Sequence, residues 1–240
     1  FASRELRSVL RQVYLYAFGL LGGFVTALVS VGVILFGVLV WLMGVPDDAA
    51  ASAHFRFLPG ALASLSVGTG LWLYHWMVVQ REVDVSPLGE GSSRRAYAYM
   101  LAALGLAALA VGVGIVVTNA TAIFVDSARD AFTAPDFWRN RVVLFITLAA
   151  LGGPTWGYYW RSAQLRVRDA GAEERASLAR RVFIFGALTI GVLALLGSLI
   201  FLLFVFLRDM LAGDLALASL QDTKGAIGVV AAVAVFLPYY

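Results

Sequence analysis

The chain has 240 residues, of which 61% are hydrophobic and only 14% are charged, and its mean hydropathy is +0.85. Soluble domains are about half apolar and about a quarter charged, so this composition excludes an ordinary soluble protein and predicts an all-α membrane protein. Cysteine is absent, which excludes disulfides, thiolate zinc sites and iron–sulfur clusters. The net charge is +3, but the basic residues form short clusters between apolar runs. This pattern is typical of membrane orientation, so we expect no nucleic-acid partner.

Six apolar runs are predicted to be transmembrane helices, because backbone groups at membrane depth must be satisfied within their own segment. A hydrocarbon core about 30 Å thick needs about 20 helical residues. Five runs reach that length, and the short sixth run leads us to expect that the protein continues beyond Tyr240. Phe1 likewise leads us to expect that the N-terminus is missing. The runs are 14–44, 57–79, 96–125, 142–160, 182–207 and 226–240.

Two aromatic patterns recur along the chain. The odd-numbered runs open with RQVYLY (11–16), RRAYAY (94–99) and RRVFIF (180–185). The even-numbered runs close with WLYHW (72–76) and WGYYW (156–160), and PYY (238–240) begins a third copy. These recurrences predict one transmembrane domain over residues 1–240, with its six helices arranged as three repeated two-helix hairpins. The repeats cover approximately 4–82, 87–166 and 173–240, the last of them truncated.

The aromatic ends of the runs are interpreted as a membrane-interface belt, where an apolar ring and a polar tip are both accommodated. His75 has an alternative role as an axial ligand of haem or a pigment. Its counterpart in the second copy is Tyr159, a phenol, which favours the belt interpretation and predicts no cofactor and no metal. The predicted belt residues are Tyr14, Tyr16, Trp72, Tyr74, His75, Trp76, Tyr97, Tyr99, Trp156, Tyr158, Tyr159 and Trp160.

Small residues at four-residue spacing predict close helix packing, which matters because lipid removes the hydrophobic drive between helices. The predicted packing residues are Gly19, Gly23, Gly60, Ser64, Gly68, Ala108 and Gly112. Hydroxyls within the runs are expected to bond carbonyls of their own helix or of a neighbouring helix. Pro154 is expected to kink the fourth helix.

The arginine distribution predicts the orientation in the membrane. The N-terminal segment and the loops 80–95 and 161–181 carry 12 of the 18 Lys and Arg residues, against 6 on the other side. The positive-inside rule therefore places the N-terminus in the cytoplasm, in a multi-pass protein of the cell (inner or plasma) membrane. The arginine clusters have a second possible role in binding anionic lipid headgroups.

No catalytic constellation is recognisable, and no run carries an ionisable residue near its centre. We therefore expect a non-enzymatic protein whose partners are the lipid bilayer and other membrane subunits. Its role would be that of an anchor or accessory subunit of a larger complex, or the membrane module of a longer sensor chain. Two alternatives remain open. One is a channel or transporter with a polar path through Ser64, Thr69, Thr118 and Asn119; the other is a haem- or pigment-binding subunit using His75.

The chain resembles a family of uncharacterised bacterial membrane proteins built from paired helices and known as a domain of unknown function. Helices of that family open with Arg-x-x-Tyr-x-Tyr and close with a Trp-rich, His-Trp-containing end. The openings at 11–16 and 94–99 and the close at 72–76 match these patterns. The third opening departs from them with Phe183 and Phe185, and the second close lacks the histidine. The resemblance implies the paired-helix architecture and no known activity.

Overall fold

The computed structural model describes residues 11, 14–44, 50–85, 91–128, 137–170, 176–213 and 218–240. Six helices in this part are long and apolar enough to cross a membrane, and no strand occurs in it. The predicted all-helical membrane fold class is therefore confirmed, whereas the three-hairpin repeat stays a prediction. The helices are α1 (Tyr14–Leu42), α2 (Leu58–Val85), α3 (Gly91–Ala128), α4 (Phe137–Ala170), α5 (Leu178–Ala212) and α6 (Ala218–Phe236).

The α1 helix begins with an irregular part, and short helical turns precede α2. The first part of α1, Tyr14–Gly22, is π-helical, and the rest is α-helical. Ala51–His54 and a 3₁₀ turn, Phe55–Phe57, lead into α2. Both α1 and α5 end at a glycine in the left-handed region, Gly44 with φ +69° and Gly213 with φ +70°. Glycine reaches this conformation without a Cβ penalty, which is why it commonly ends helices.

The helices extend beyond the apolar runs that predicted them. The α2 helix continues to Val85 and α3 begins at Gly91, so both enter the segment 81–95 that the sequence predicted as a loop. The α4 helix continues ten residues past position 160, to Ala170. Polar residues are compatible with these extensions, because a membrane helix can continue past the hydrocarbon core into the headgroup region. The predicted starts of the three repeats, at residues 4, 87 and 173, lie outside the described residues.

The chain divides into two compact units. Unit 1 comprises Phe1–Leu104 and Pro154–Arg181, and unit 2 comprises Gly105–Gly153 and Val182–Tyr240. The boundary in α4 falls at Pro154, which has no N–H to donate to the helix.

In unit 1, α1 and α2 pack through reciprocal glycines. A Cβ built on Gly23 would lie 2.7 Å from the backbone N of Trp72, and one on Gly68 would lie 2.7 Å from the backbone N of Ala27. Each glycine carbonyl oxygen also lies 3.0 Å from the Cβ position of the other. Any side chain at either position would therefore force the two backbones apart.

In unit 2, glycines again mark the tight contacts. A Cβ on Gly152 of α4 would lie 2.7 Å from the carbonyl oxygen of Gly105 in α3. One on Gly228 of α6 would lie 2.6 Å from the carbonyl oxygen of Gly114, also in α3. The α5 and α6 helices are in addition joined near their connection by Arg208, whose Nη2 lies 3.0 Å from Oδ2 of Asp222.

The seven predicted packing residues differ in their surroundings. Gly19, Gly23, Gly68, Ala108 and Gly112 each lie against another helix, Ala108 at the Cβ position of Gly152 and Gly112 beside Phe145. Gly60 and Ser64 are exposed, and a Cβ on Gly60 would meet no atom within 4 Å. These two residues instead line an open groove between α1 and α2, together with Thr26 and Ser30.

We predict that Gly68→Ala destabilises the fold by about 1–3 kcal/mol, because the methyl group would meet the backbone of α1. The matched control is Gly60→Ala in the same helix, which adds the same atom to open space and should leave the stability unchanged or slightly raised. The free energy of unfolding in detergent, measured by denaturant titration, compares the two. Equal effects of the two substitutions would contradict the assigned helix contact.

Candidate functional site

Aromatic side chains from four helices meet in unit 1. We define the aromatic cluster as Tyr16 of α1, Phe24 of α1, Trp72 and Trp76 of α2, Tyr97 of α3 and Tyr159 of α4. The cluster packs against buried aliphatic residues, of which Leu20 and Leu101 are completely enclosed. The sequence places these rings near helix ends, and the folded chain turns them towards one another.

The rings of the cluster meet mostly edge to face. Phe24 contacts both Trp72, with ring centroids 6.1 Å apart, and Tyr159, at 6.3 Å. Tyr97 lies 6.3 Å from Tyr159 and 6.3 Å from Tyr16. Aromatic rings favour such arrangements because the positive edge of one ring faces the negative face of the other. The cluster thus joins α1, α2, α3 and α4 through ring contacts.

A hydrogen-bond chain runs through three of these rings. The indole Nε1–H of Trp72 donates to the hydroxyl oxygen of Tyr97 over 3.1 Å. The hydroxyl groups of Tyr97 and Tyr159 also interact by a hydrogen bond, beside the contact of their rings. Tyr97 is 3% exposed, so its hydroxyl needs partners inside the protein. The chain therefore fixes α2, α3 and α4 relative to one another at this point, a role that the sequence analysis did not predict.

His75 is buried, with 4% exposure, and lies directly against Gly19 of the π-helical part of α1. Its Nδ1 lies 2.8 Å from the carbonyl oxygen of Leu71, one turn earlier in α2, so the Nδ1–H donates to it. The rings of Tyr14 and Tyr74 meet the imidazole edge to face at 5.7 and 5.2 Å. A Cβ on Gly19 would overlap the imidazole, so the glycine is what makes room for His75.

The predicted belt residues fall into three groups by exposure, and their belt role stays a prediction. Tyr14, Tyr74 and Tyr158 are exposed, as rings at a headgroup boundary would be. Tyr16, Trp72, Trp76, Trp156 and Tyr159 are partly buried. His75, Tyr97, Tyr99 and Trp160 are buried, at 3–4% exposure. The last group packs inside the chain, which the belt interpretation did not anticipate.

The chemistry of the cluster is that of neutral hydrogen bonds and ring packing. Among the described residues no group of three or more His, Asp or Glu side chains is placed to hold a metal ion. Unit 1 also contains a cation–π contact, in which the guanidinium carbon of Arg180 lies 5.7 Å from the centroid of the Trp160 ring. Cation–π contacts of this kind stabilise an arginine at a helix start.

We predict that Tyr97→Phe lowers the free energy of unfolding by about 1–3 kcal/mol, because it leaves the partly buried indole N–H of Trp72 without its acceptor. Tyr158→Phe is the control, since the Tyr158 side chain is 68% exposed and its substitution should change stability by less than about 0.5 kcal/mol. The unfolding free energies of the two variants in the same detergent test this. A Tyr97→Phe protein as stable as the control would contradict the hydrogen-bond chain.

We also predict strong coupling between Gly19 and His75. Gly19→Ala alone should cost about 1–3 kcal/mol, because the added methyl overlaps the imidazole. In the double variant Gly19→Ala/His75→Ala the overlap disappears, so the total cost should be smaller than the sum of the two single costs. A double-mutant cycle on unfolding free energies measures this. Additive costs would show that the two residues do not touch.

The comparison with known proteins gives one match. A family model described as Domain of unknown function (DUF5671) matches residues 95–237. No curated protein and no solved structure matches the chain. The matched segment covers more than half of the sequence and reaches from α3 through α6, in line with the expected resemblance to an uncharacterised family. The chain therefore belongs to the DUF5671 family.

Proposed function

We propose that the protein is a non-enzymatic integral membrane subunit that anchors or assists a larger membrane assembly. The observation that carries this proposal is the exposure of α2. In the apolar stretch of the span Ala51–Arg81, only 6% of the residues are buried within the chain. The corresponding share for α1 is 22%. Gly60, Ser64 and Gly70 lie exposed on this helix, and a Cβ on either glycine would meet open space. Small residues favour close approach of another helix, so this surface suits a protein partner.

The hydroxyl groups support a structural role. Thr26 donates to the carbonyl oxygen of Gly22, Ser30 to that of Thr26 and Ser66 to that of Leu62, all at 2.8 Å. Hydroxyls that bond their own helix have already used their only proton there, so they have no donor left for a solute. The same pattern holds for Thr121, Thr147, Ser162 and Thr223.

A channel or transporter is the second candidate, and Asn119 favours it. The Asn119 side chain is 5% exposed, and its Oδ1 has no hydrogen-bond partner among the described residues. A buried amide oxygen of this kind within a membrane helix is a possible ligand for a polar solute or water. Its neighbour Thr118 is already used, since its hydroxyl lies 3.3 Å from the carbonyl oxygen of Lys224.

The placement of the subunit in its membrane follows from the arginine distribution. We propose that the N-terminal segment and the segments 80–95 and 161–181 face the cytoplasm, because they carry 12 of the 18 basic residues. The bilayer is then the first partner of the chain, and we expect Arg94 and Arg95 near the start of α3 to meet anionic headgroups.

Purification of the tagged, full-length protein from its own cells in mild detergent tests the accessory role. We expect a particle that contains more than one copy of the chain or further polypeptides, measured by native mass spectrometry. Gly70→Trp should release these partners, because the new ring occupies the exposed surface of α2. Leu62→Trp is the control: it is an exposed position eight residues earlier in the same helix, about 80° away around the helix axis, and the substitution should keep them.

A single chain without partners would contradict the proposal. In that case solute flux into vesicles containing the protein, lost in Asn119→Leu, would favour the second candidate. The haem or pigment alternative is tested by the absorption spectrum of the same preparation. A visible band that disappears in His75→Ala would replace the accessory role by a cofactor-binding one.

A further inference from the structure

The three helix pairs α1–α2, α3–α4 and α5–α6 are closed by ring contacts at matching positions. The first aromatic residue of each pattern that opens an odd-numbered run lies three positions after an arginine. These residues are Tyr14, Tyr97 and Phe183. Their edge-to-face partners are His75 at 5.7 Å, Tyr159 at 6.3 Å and Tyr240 at 5.6 Å, respectively. These partners close the three even-numbered runs, so each pair has the same contact at the same end.

A tight glycine contact also recurs in each pair. Seven positions before the closing ring lie Gly68 in α2, Gly152 in α4 and Val233 in α6. Gly68 packs on Gly23, Gly152 packs on Gly105, and Val233 lies against Gly191 together with Leu237. These contacts support the three-hairpin repeat and give a common numbering for the faces of the helices.

One contact between successive hairpins is visible within unit 2. The α6 helix packs on α3 through Gly228 and Gly114, and Thr118 donates to the carbonyl oxygen of Lys224. Gly228 lies 12 positions before its closing ring, and Gly114 lies nine positions after the glycine Gly105 of the hairpin contact. The even helix of the third hairpin thus covers a defined face of the odd helix of the second.

The corresponding face of the even helices is buried in α4 and α6 but open in α2. Positions 16, 12, 8 and 4 before the closing ring define it. In α4 these positions include Val143, Thr147 and Thr155, with 0, 4 and 8% exposure. In α6 they include Gly228 and Ala232, both buried. In α2 all four are exposed, and they are Pro59, Ala63, Val67 and Leu71.

The complementary face of the odd-numbered helices is partly buried in α1 and α3 but exposed in α5. It is defined by positions five, nine and 13 after the glycine of the hairpin contact. Leu28, Gly32 and Phe36 in α1 are partly buried there, as are Ala110, Gly114 and Thr118 in α3. In α5 the same positions are Leu196, Ile200 and Phe204, with 50, 67 and 60% exposure.

We propose that a second copy of this chain supplies the missing contact: the exposed face of α2 in one copy packs onto the exposed face of α5 in the next. The inference rests on the proposed assembly role and names the partner. The exposed face of α2 corresponds to the face that α6 uses in its contact with α3, and the exposed face of α5 corresponds to the face that α3 uses. One chain therefore carries both surfaces that this contact needs, without a partner for either. Their sizes are also complementary, since Pro59 and Ala63 are small where Phe204 and Ile200 are large.

The antiparallel register follows from the internal contact. Gly228 meets Gly114, so Ala63 of one copy lies opposite Ile200 of its neighbour, and Val67 lies opposite Leu196. The two faces belong to different helices, so the contact is head-to-tail and builds a ring or an open array. A face-to-face contact of α2 with α2 would instead give a symmetric dimer and would leave α5 uncovered.

The chain contains no cysteine, so introduced cysteines report on this contact without background. In native membranes, the double variant Ala63→Cys/Ile200→Cys treated with a short bismaleimide should give bands at multiples of the mass of the single chain. Co-expressed single variants Ala63→Cys and Ile200→Cys should give a dimer only, and each single variant alone should stay monomeric. The pair Val67→Cys/Leu196→Cys should repeat the result if the first pair disturbs folding.

The control pair Leu62→Cys/Phe201→Cys lies at the same depth, since each position is one residue away, and on other sides of the two helices. Both side chains are exposed, and this pair should lose the ladder of bands. Three outcomes would overturn the inference: cross-linking of Ala63→Cys to itself, equal ladders from the control pair, or no cross-link in either test pair. A cross-link from Ala63→Cys to a different protein would also overturn it, while the accessory role would remain.

Discussion

Close approach of helix backbones at glycine is the constraint on which this fold depends. Lipid tails are as apolar as leucine, so burying an apolar side chain between membrane helices gains little, and van der Waals contact must supply the attraction. Gly23 and Gly68 are the clearest case, because each blocks the space in which the other would place a Cβ. With α1 and α2 held at this distance, the larger rings at the ends of the helices come within reach of one another.

Hydrogen bonding adds specificity to this packing. Several side-chain hydroxyls in the described part bond a carbonyl one turn earlier, which uses their donor without joining helices. Trp72, Tyr97 and Tyr159 differ, because their donor and acceptor atoms lie on three helices. A donor in apolar surroundings costs free energy unless it is hydrogen-bonded, and these groups reach their partners in only one arrangement of the helices. The bonds therefore select one register among the several that glycine packing alone would allow.

Hydropathy was sufficient to predict the six helices, because length and apolar content are properties of each segment by itself. The contacts between helices were less accessible. Gly60 and Gly68 belong to the same four-residue series, but eight residues turn an α-helix by about 80° beyond two full turns. Gly68 therefore meets α1 while Gly60 is exposed. Spacing identifies a row of small residues, and only the positions of the neighbouring helices determine which part of that row is covered.

The aromatic residues show the same limit. Tyr97 and Tyr158 have identical chemistry and both lie near a helix end, yet they are 3 and 68% exposed. The belt interpretation uses only residue type and depth, and both are equal for these two tyrosines. Their difference comes from the direction of each ring around its helix axis, which decides whether it faces the cluster or the outside. The pairing of Tyr97 with Trp72 joins positions 25 residues apart in different helices, and no local pattern encodes it.

The predicted hairpin repeat offers an explanation for the π-helical part of α1. Eight positions separate Tyr97 from Gly105, and eight separate Phe183 from Gly191, whereas nine separate Tyr14 from Gly23. A π-helix has i→i+5 hydrogen bonds, so its wider turns take up an extra residue without breaking the helix. Because Tyr14–Gly22 is π-helical, α1 keeps both the ring contact with His75 and the glycine contact with Gly68. The extra residue is present in the sequence, but it becomes meaningful only when the two contacts that fix the spacing are known.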